Sequence, residues 1–73
     1  MQPLPVESTS LATVAYDAAR QVLQLAFRDG TLYCYLHVPA AVYQSLLLAR
    51  SKGVYFNREI RNRYPSAKMA SLS

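Results

Sequence analysis

Phe27-Arg28-Asp29-Gly30-Thr31-Leu32-Tyr33-Cys34-Tyr35-Leu36-His37-Val38-Pro39 is the stretch whose reading decides the fold. It contains the end of one strand, a turn, a second strand and a helix entry. Asp29-Gly30 between two apolar runs is a strong hairpin signal, because glycine takes the positive φ that a right-twisting hairpin requires. Two closures satisfy it. With Asp29 and Gly30 alone as the loop, Phe27 pairs with Leu32, and Leu23, Leu25, Phe27, Leu32, Cys34 and Leu36 share a face. Tyr33, Tyr35 and His37 then face the other way, as an aromatic platform. With Arg28-Asp29-Gly30 as a three-residue loop, a type I turn and a glycine bulge shift the partner by one residue. Tyr33 and Tyr35 then join Leu23, Leu25 and Phe27.

Upstream, residues 22–27 alternate Leu23, Leu25 and Phe27 with Val22, Gln24 and Ala26, which predicts a strand with the first set inward. Residues 11–16 form an earlier strand whose pattern is mixed, with Val14 and Tyr16 on one face and Leu11, Thr13 and Ala15 on the other. Its buried side is not assigned by periodicity. Asp17 in the connection between them can accept from nearby backbone amides. Residues 1–10, with two prolines, read as an irregular arm.

Downstream, the strand runs over 31–38 and Pro39 opens a helix over 39–50. Its stripe is Val42, Leu46 and Ala49, with Tyr43 and Leu47 beside it and Leu48 off it. Ser51 caps a second helix, over 53–64, stopped by Pro65. Phe56, Ile60 and Tyr64 line one side of that helix, and Arg58, Arg61 and Asn62 lie largely opposite. Residues 65–73 read as a flexible tail. The expectation is an α+β domain over 11–64: a three-stranded antiparallel meander with two helices packed on one face.

At 73 residues there is room for one domain, and 52% hydrophobic with 16% charged residues describes a folded globule rather than a disordered chain. Charge is divided unevenly. Arg20 and Arg28 against Glu7, Asp17 and Asp29 leave residues 1–49 at −1, whereas Arg50, Lys52, Arg58, Arg61, Arg63 and Lys68 against Glu59 leave residues 50–73 at +5. That asymmetry points to a polyanionic partner. The start carries no basic region followed by an apolar run, and no stretch reaches the ~18 apolar residues of a membrane span, so a cytoplasmic protein without membrane contact is expected.

Catalytic hardware is sparse. Cys34 and His37 are the only thiol and imidazole, and three apart on a strand they project to opposite faces. The four carboxylates are dispersed, no zinc-ligand cluster is present, and Gly30 and Gly53 do not make a phosphate loop. The sequence reads as non-enzymatic, with no metal or cofactor.

Val14-Ala15-Tyr16-Asp17, Leu23-x-Leu25-x-Phe27-x-x-Gly30, Tyr33-x-Tyr35, Val38-Pro39-x-x-Val42-Tyr43 and Ser51-x-Gly53-x-Tyr55-Phe56-Asn57-x-x-Ile60, taken in order, resemble the KTSC domain of small, bacterial-type proteins and of some lysyl-tRNA synthetase C-termini. The resemblance covers about residues 8–64. The family carries no established function, and its attachment to a synthetase suggests RNA. Similar domains often place a polar residue between the two tyrosines, which suits a core-facing pair; this chain has Cys34 there. The resemblance therefore leans toward partly buried tyrosines, with the register still open.

The leading functional expectation is RNA binding, tRNA-like or single-stranded, through a basic C-terminal helix that brings together Lys52, Arg58, Arg61, Arg63 and Lys68. Tyr33, Tyr35 and His37 would supply the stacking platform under the two-residue loop. Gly53, Tyr55, Phe56 and Asn57 are the remaining motif residues, Phe56 expected as an anchor and Asn57 as a local or recognition hydrogen-bonder. The alternative is a protein-interaction module or homodimer that uses an exposed apolar face, Leu48 on the helix or Leu32, Cys34 and Leu36 on the sheet.

Overall fold

In the computed structural model, which describes residues 2–71, the hairpin closes through the three-residue loop. Leu23 pairs with Tyr35, Leu25 with Tyr33 and Ala26 with Leu32. The Gly30 amide donates to the Phe27 carbonyl at 3.0 Å, and Gly30 sits at φ 94°. Asp29 secures the loop: its Oδ1 accepts from the Thr31 amide at 2.9 Å and the Thr31 hydroxyl at 2.7 Å. Tyr33 and Tyr35 thus share the inward face with Leu23 and Leu25, and the two-residue register with its outward tyrosines is excluded.

Around this hairpin runs an antiparallel sheet in the order of the chain: β1 (Leu4–Pro5), β2 (Leu11–Asp17), β3 (Val22–Phe27), β4 (Thr31–Tyr35) and β5 (Ser66–Ser71). The expected meander is β2-β3-β4, and it gains a strand at each edge. Pro5 pairs with Thr13 inside the stretch expected as an irregular arm. The stretch expected as a flexible tail supplies β5, in which Ser66 pairs with Tyr35 and Lys68 with Tyr33. A β4 with one open edge leaves unpaired backbone groups, and a second strand satisfies them. Polar, short-residue sequence carries little hydrophobic periodicity, which is why β5 does not announce itself.

The mixed pattern of β2 is resolved by an irregularity. Val14 and Tyr16 stand opposite Leu25 and Leu23, while the register shifts between Leu11 and Thr13 so that Leu11 comes opposite Phe27. Both Leu11 and Val14 are fully buried. One inserted residue reverses the facing of everything before it.

Strand β4 stops at Tyr35, short of the expected 38. The Leu36 amide turns to the Pro65 carbonyl at 2.8 Å, and His37 adopts a left-handed φ of 61°. Pro39 stands at the N-cap of α1 (Ala40–Leu48) rather than within its first turn, and Ser51 caps α2 (Lys52–Glu59) by accepting from the Val54 amide at 3.3 Å. Helix α2 ends five residues before the expected 64. The Phe56 carbonyl accepts from both Ile60, at 3.0 Å, and Arg61, at 2.9 Å, which unwinds the helix into a turn and drives Ile60 into the core. Arg61 and Arg63 therefore lie beyond the helix.

The core between sheet and helices joins Leu11, Val14, Leu23 and Leu25 to Val38, Leu46, Phe56 and Ile60, with Tyr35 at 4% exposure. Tyr16 stacks on Tyr43 with ring centroids 4.8 Å apart and donates its hydroxyl to the Val38 carbonyl. Leu48 is 85% exposed, as its place off the stripe of α1 predicts.

Candidate functional site

The period-two alternation of β4 aims Thr31, Tyr33 and Tyr35 at the helical layer, while helical spacing puts Gly53, Phe56 and Asn57 on one side of α2. Between them opens a cleft of about 480 Å³. Its floor is Phe27, Tyr33, Tyr35 and Phe56. Phe27 meets Tyr33 edge-to-face at 5.9 Å and Phe56 at 5.4 Å, and Tyr35 meets Phe56 at 5.5 Å. Edge-to-face contacts of this kind hold each ring in a fixed orientation. The rim is polar: Asp29 at the hairpin, Ser10 and Ser66, and Asn57, Arg61 and Asn62 from α2 and the turn after it. Gly53 allows the helix start to approach the β2 entry, since a Cβ there would meet the Ser10 hydroxyl at 3.3 Å.

The Tyr35 ring is almost fully buried, yet its hydroxyl makes no hydrogen bond among the described residues. Among the described residues no fully buried side-chain oxygen lacks a partner, so this oxygen reaches the surface, and Tyr35 lines the cleft. Burial raises the Tyr35 pKa above its ordinary value, Tyr33 alongside adds to the effect, and Arg61 opposes it. At neutral pH the group is a protonated donor. Asp29 is shifted the other way: the hydrogen bonds from the Thr31 hydroxyl and amide hold its pKa down, with Lys68 contributing. Asn57 Oδ1 accepts from Arg61 at 3.4 Å.

The expected basic helix face is divided by the structure. Lys52 donates to the Ala49 carbonyl at the end of α1, 3.1 Å away. Arg58 lies on a second groove with Val54, Tyr55 and Arg50. Arg63 is 3.9 Å from Glu59. Only Arg61 lines the cleft, and Lys68, opposite Tyr33 on β5, stands on the same sheet face. The early end of α2 takes Arg61 and Arg63 off the helical spacing, and Lys68 belongs to β5.

The aromatic platform is likewise re-placed. Tyr33 and Tyr35 lie beneath the cleft rather than on the open sheet face, and His37 is exposed in the turn after β4, with Leu36 also off the strand. Leu32 and Cys34 occupy the opposite sheet face, across from Ala26 and Gln24, so Cys34 is not aimed at the cleft. Among the described residues no group of three His, Cys, Asp or Glu side chains could hold a metal. Of the motif residues, Tyr33, Tyr35, Gly53, Phe56 and Asn57 converge on the cleft, and Tyr55 faces the second groove. Sequence reasoning passed over Phe27, Asp29, Thr31 and Asn62 as site residues. The three-residue closure is the signal that places the first three.

The KTSC domain profile matches residues 7–64. A protein of Tsukamurella paurometabola is 40% identical over 60 residues, covering 82% of this chain and 90% of that protein. A lysine–tRNA ligase of Nostoc is 34% identical over 61 residues, which is 84% of this chain and 11% of the ligase. The crystal structure of a KTSC domain protein from Yersinia pestis superposes with a TM-score of 0.92 at 32% identity, over 94% of this chain and 97% of that one. The chain belongs to the KTSC domain family. No helix among the described residues is long and apolar enough to cross a membrane.

Proposed function

We propose that this KTSC-family chain is a non-catalytic binding module that takes single-stranded RNA at the cleft between β4 and α2. The observation that carries the reading is the convergence of three separate motif segments on one concave surface with aromatic rings below and Arg61 and Lys68 beside it. Rings that bases can stack against, flanked by cations for the phosphates, are the hardware of single-strand recognition. The similarity of the chain to a segment of lysine–tRNA ligases, enzymes that by name act on tRNA, supports the same reading.

Titration of labelled single-stranded RNA at two ionic strengths tests it. Joint replacement of Arg61→Gln and Lys68→Gln weakens binding and flattens the dependence of log K on log salt by about 1.4, from two phosphate contacts of ~0.7 each. Absence of wild-type binding at low salt overturns the proposal.

A second reading rests on the corner of α1 and α2, where Leu48 and Val54 are 85% and 53% exposed. Apolar side chains so placed favour protein contact or self-association. Sedimentation at high protein concentration tests the latter: a dimer that dissociates in Leu48→Ser supports it, and a monomer removes it.

A further inference from the structure

We propose that the cleft is a single-nucleotide site: one base against the Tyr33 and Phe27 rings, its acceptor-bearing edge toward the Asn57 amide and the Tyr35 hydroxyl, and its phosphate at Arg61. The inference rests on the RNA reading and narrows it to a unit that binds by itself.

Size is the first argument. About 480 Å³ falls within the range of cavities that enclose small ligands, so a longer strand would leave most of its length outside. The polar groups are the second. Tyr35 is 4% exposed, its oxygen faces the cleft and nothing in the described protein bonds to it. A hydroxyl open to the cleft in this way can donate to a ligand acceptor in place of water. Asn57 turns its Oδ1 to Arg61, 3.4 Å away, which leaves its amide hydrogens to donate outward. The guanidinium has further N–H groups beyond the one spent on Asn57, in the planar arrangement that suits phosphate.

The one carboxylate on the rim is engaged on its own loop. Asp29 turns its Oδ1 to the Thr31 hydroxyl and amide, which ties that oxygen to the hairpin loop. What the site offers is a set of donors above an aromatic floor in which Tyr33 and Phe27 stand edge-to-face, so that a base stacked on one ring meets the edge of the other, and a nucleotide is the matching chemistry: a flat ring with acceptors at its edge and an anion attached.

An amide-resolved NMR titration with the four nucleoside monophosphates, the corresponding nucleosides and inorganic phosphate tests the inference. Monophosphates are expected to shift the Asn57 side-chain amide and the backbone of Tyr33 to Tyr35 at millimolar concentrations or below. Nucleosides bind more weakly, and phosphate alone leaves these signals in place. Tyr35→Phe keeps the ring and removes the hydroxyl, and weakens the monophosphate about three- to tenfold, the value of one hydrogen bond. Asn57→Asp replaces donors by a negative charge and weakens it more, while an unchanged melting temperature shows that the fold is intact. RNA binding without any response to monophosphates, or shifts that map to Arg58 and Tyr55, overturns the single-nucleotide proposal and leaves RNA binding standing. Failure of both ligands removes both readings.

Discussion

Asp29 and Gly30 decide the hairpin by different physical means. Gly30 provides a backbone at φ 94° that a Cβ would strain, so Gly30→Ala is expected to cost roughly 1–2 kcal/mol, measured by denaturant unfolding. Asp29 provides a charged acceptor for Thr31. Because its folded pKa is depressed, the charged form is the one the fold favours. Its contribution is present above the ordinary carboxylate pKa and is lost as pH falls through the lower folded value. Asp29→Asn should therefore flatten the acid limb of the stability curve, and an unchanged limb would assign the acid sensitivity to other carboxylates. The mutation exchanges one oxygen for an amide nitrogen, so the turn geometry is little disturbed.

At the scale of elements, α2 joins the core to the cleft through Phe56, which is 6% exposed and packs edge-to-face on Phe27 and Tyr35. Truncation of Phe56 to alanine should cost about 3–5 kcal/mol of unfolding free energy and release the two rings it holds. The edges are handled by composition. Strand β1 is two residues long, follows Pro3 and ends in Pro5, and β5 carries a register shift opposite Leu32 and Tyr33 together with Lys68, features that blunt edge-to-edge pairing. A chain ending at Pro65 should lose hydrogen-exchange protection across β4. Retention of that protection would show that β5 contributes nothing to the ladder.

Over the whole molecule, positive charge is spread rather than gathered, with Lys52 and Arg63 engaged by neighbouring groups and Arg58 and Arg61 serving different grooves. Binding that depends on a basic stripe would weaken equally on removal of any arginine. Binding at the cleft responds to Arg61 and is indifferent to Arg58→Gln, and comparing those two variants against the same RNA separates the cases. Leu48→Ser, at 85% exposure, should change stability by no more than about 0.5 kcal/mol, so any effect on sedimentation reports association and not unfolding.

Much of this arrangement was legible beforehand because it rests on local chemistry. The Asp-Gly turn, the alternation of Leu23, Leu25 and Phe27, the Ser51 cap and the proline before α1 each carry a signal within a few residues. The motif residues Tyr33, Tyr35, Gly53, Phe56 and Asn57 were visible for the same reason, as spacing on a strand and a helix. Their convergence was not, since it depends on a one-residue choice of register that apolar residues on both faces of β4 leave undetermined. Strand β5 and the early end of α2 were hidden too: the first is recruited by an open backbone edge, and the second accompanies the turn at the shared Phe56 carbonyl that buries Ile60. The sequence by itself determined the elements and the side chains available for binding. Only the tertiary structure decided which of them meet, because register and helix ends are set by the best burial of the whole core and not by any segment alone.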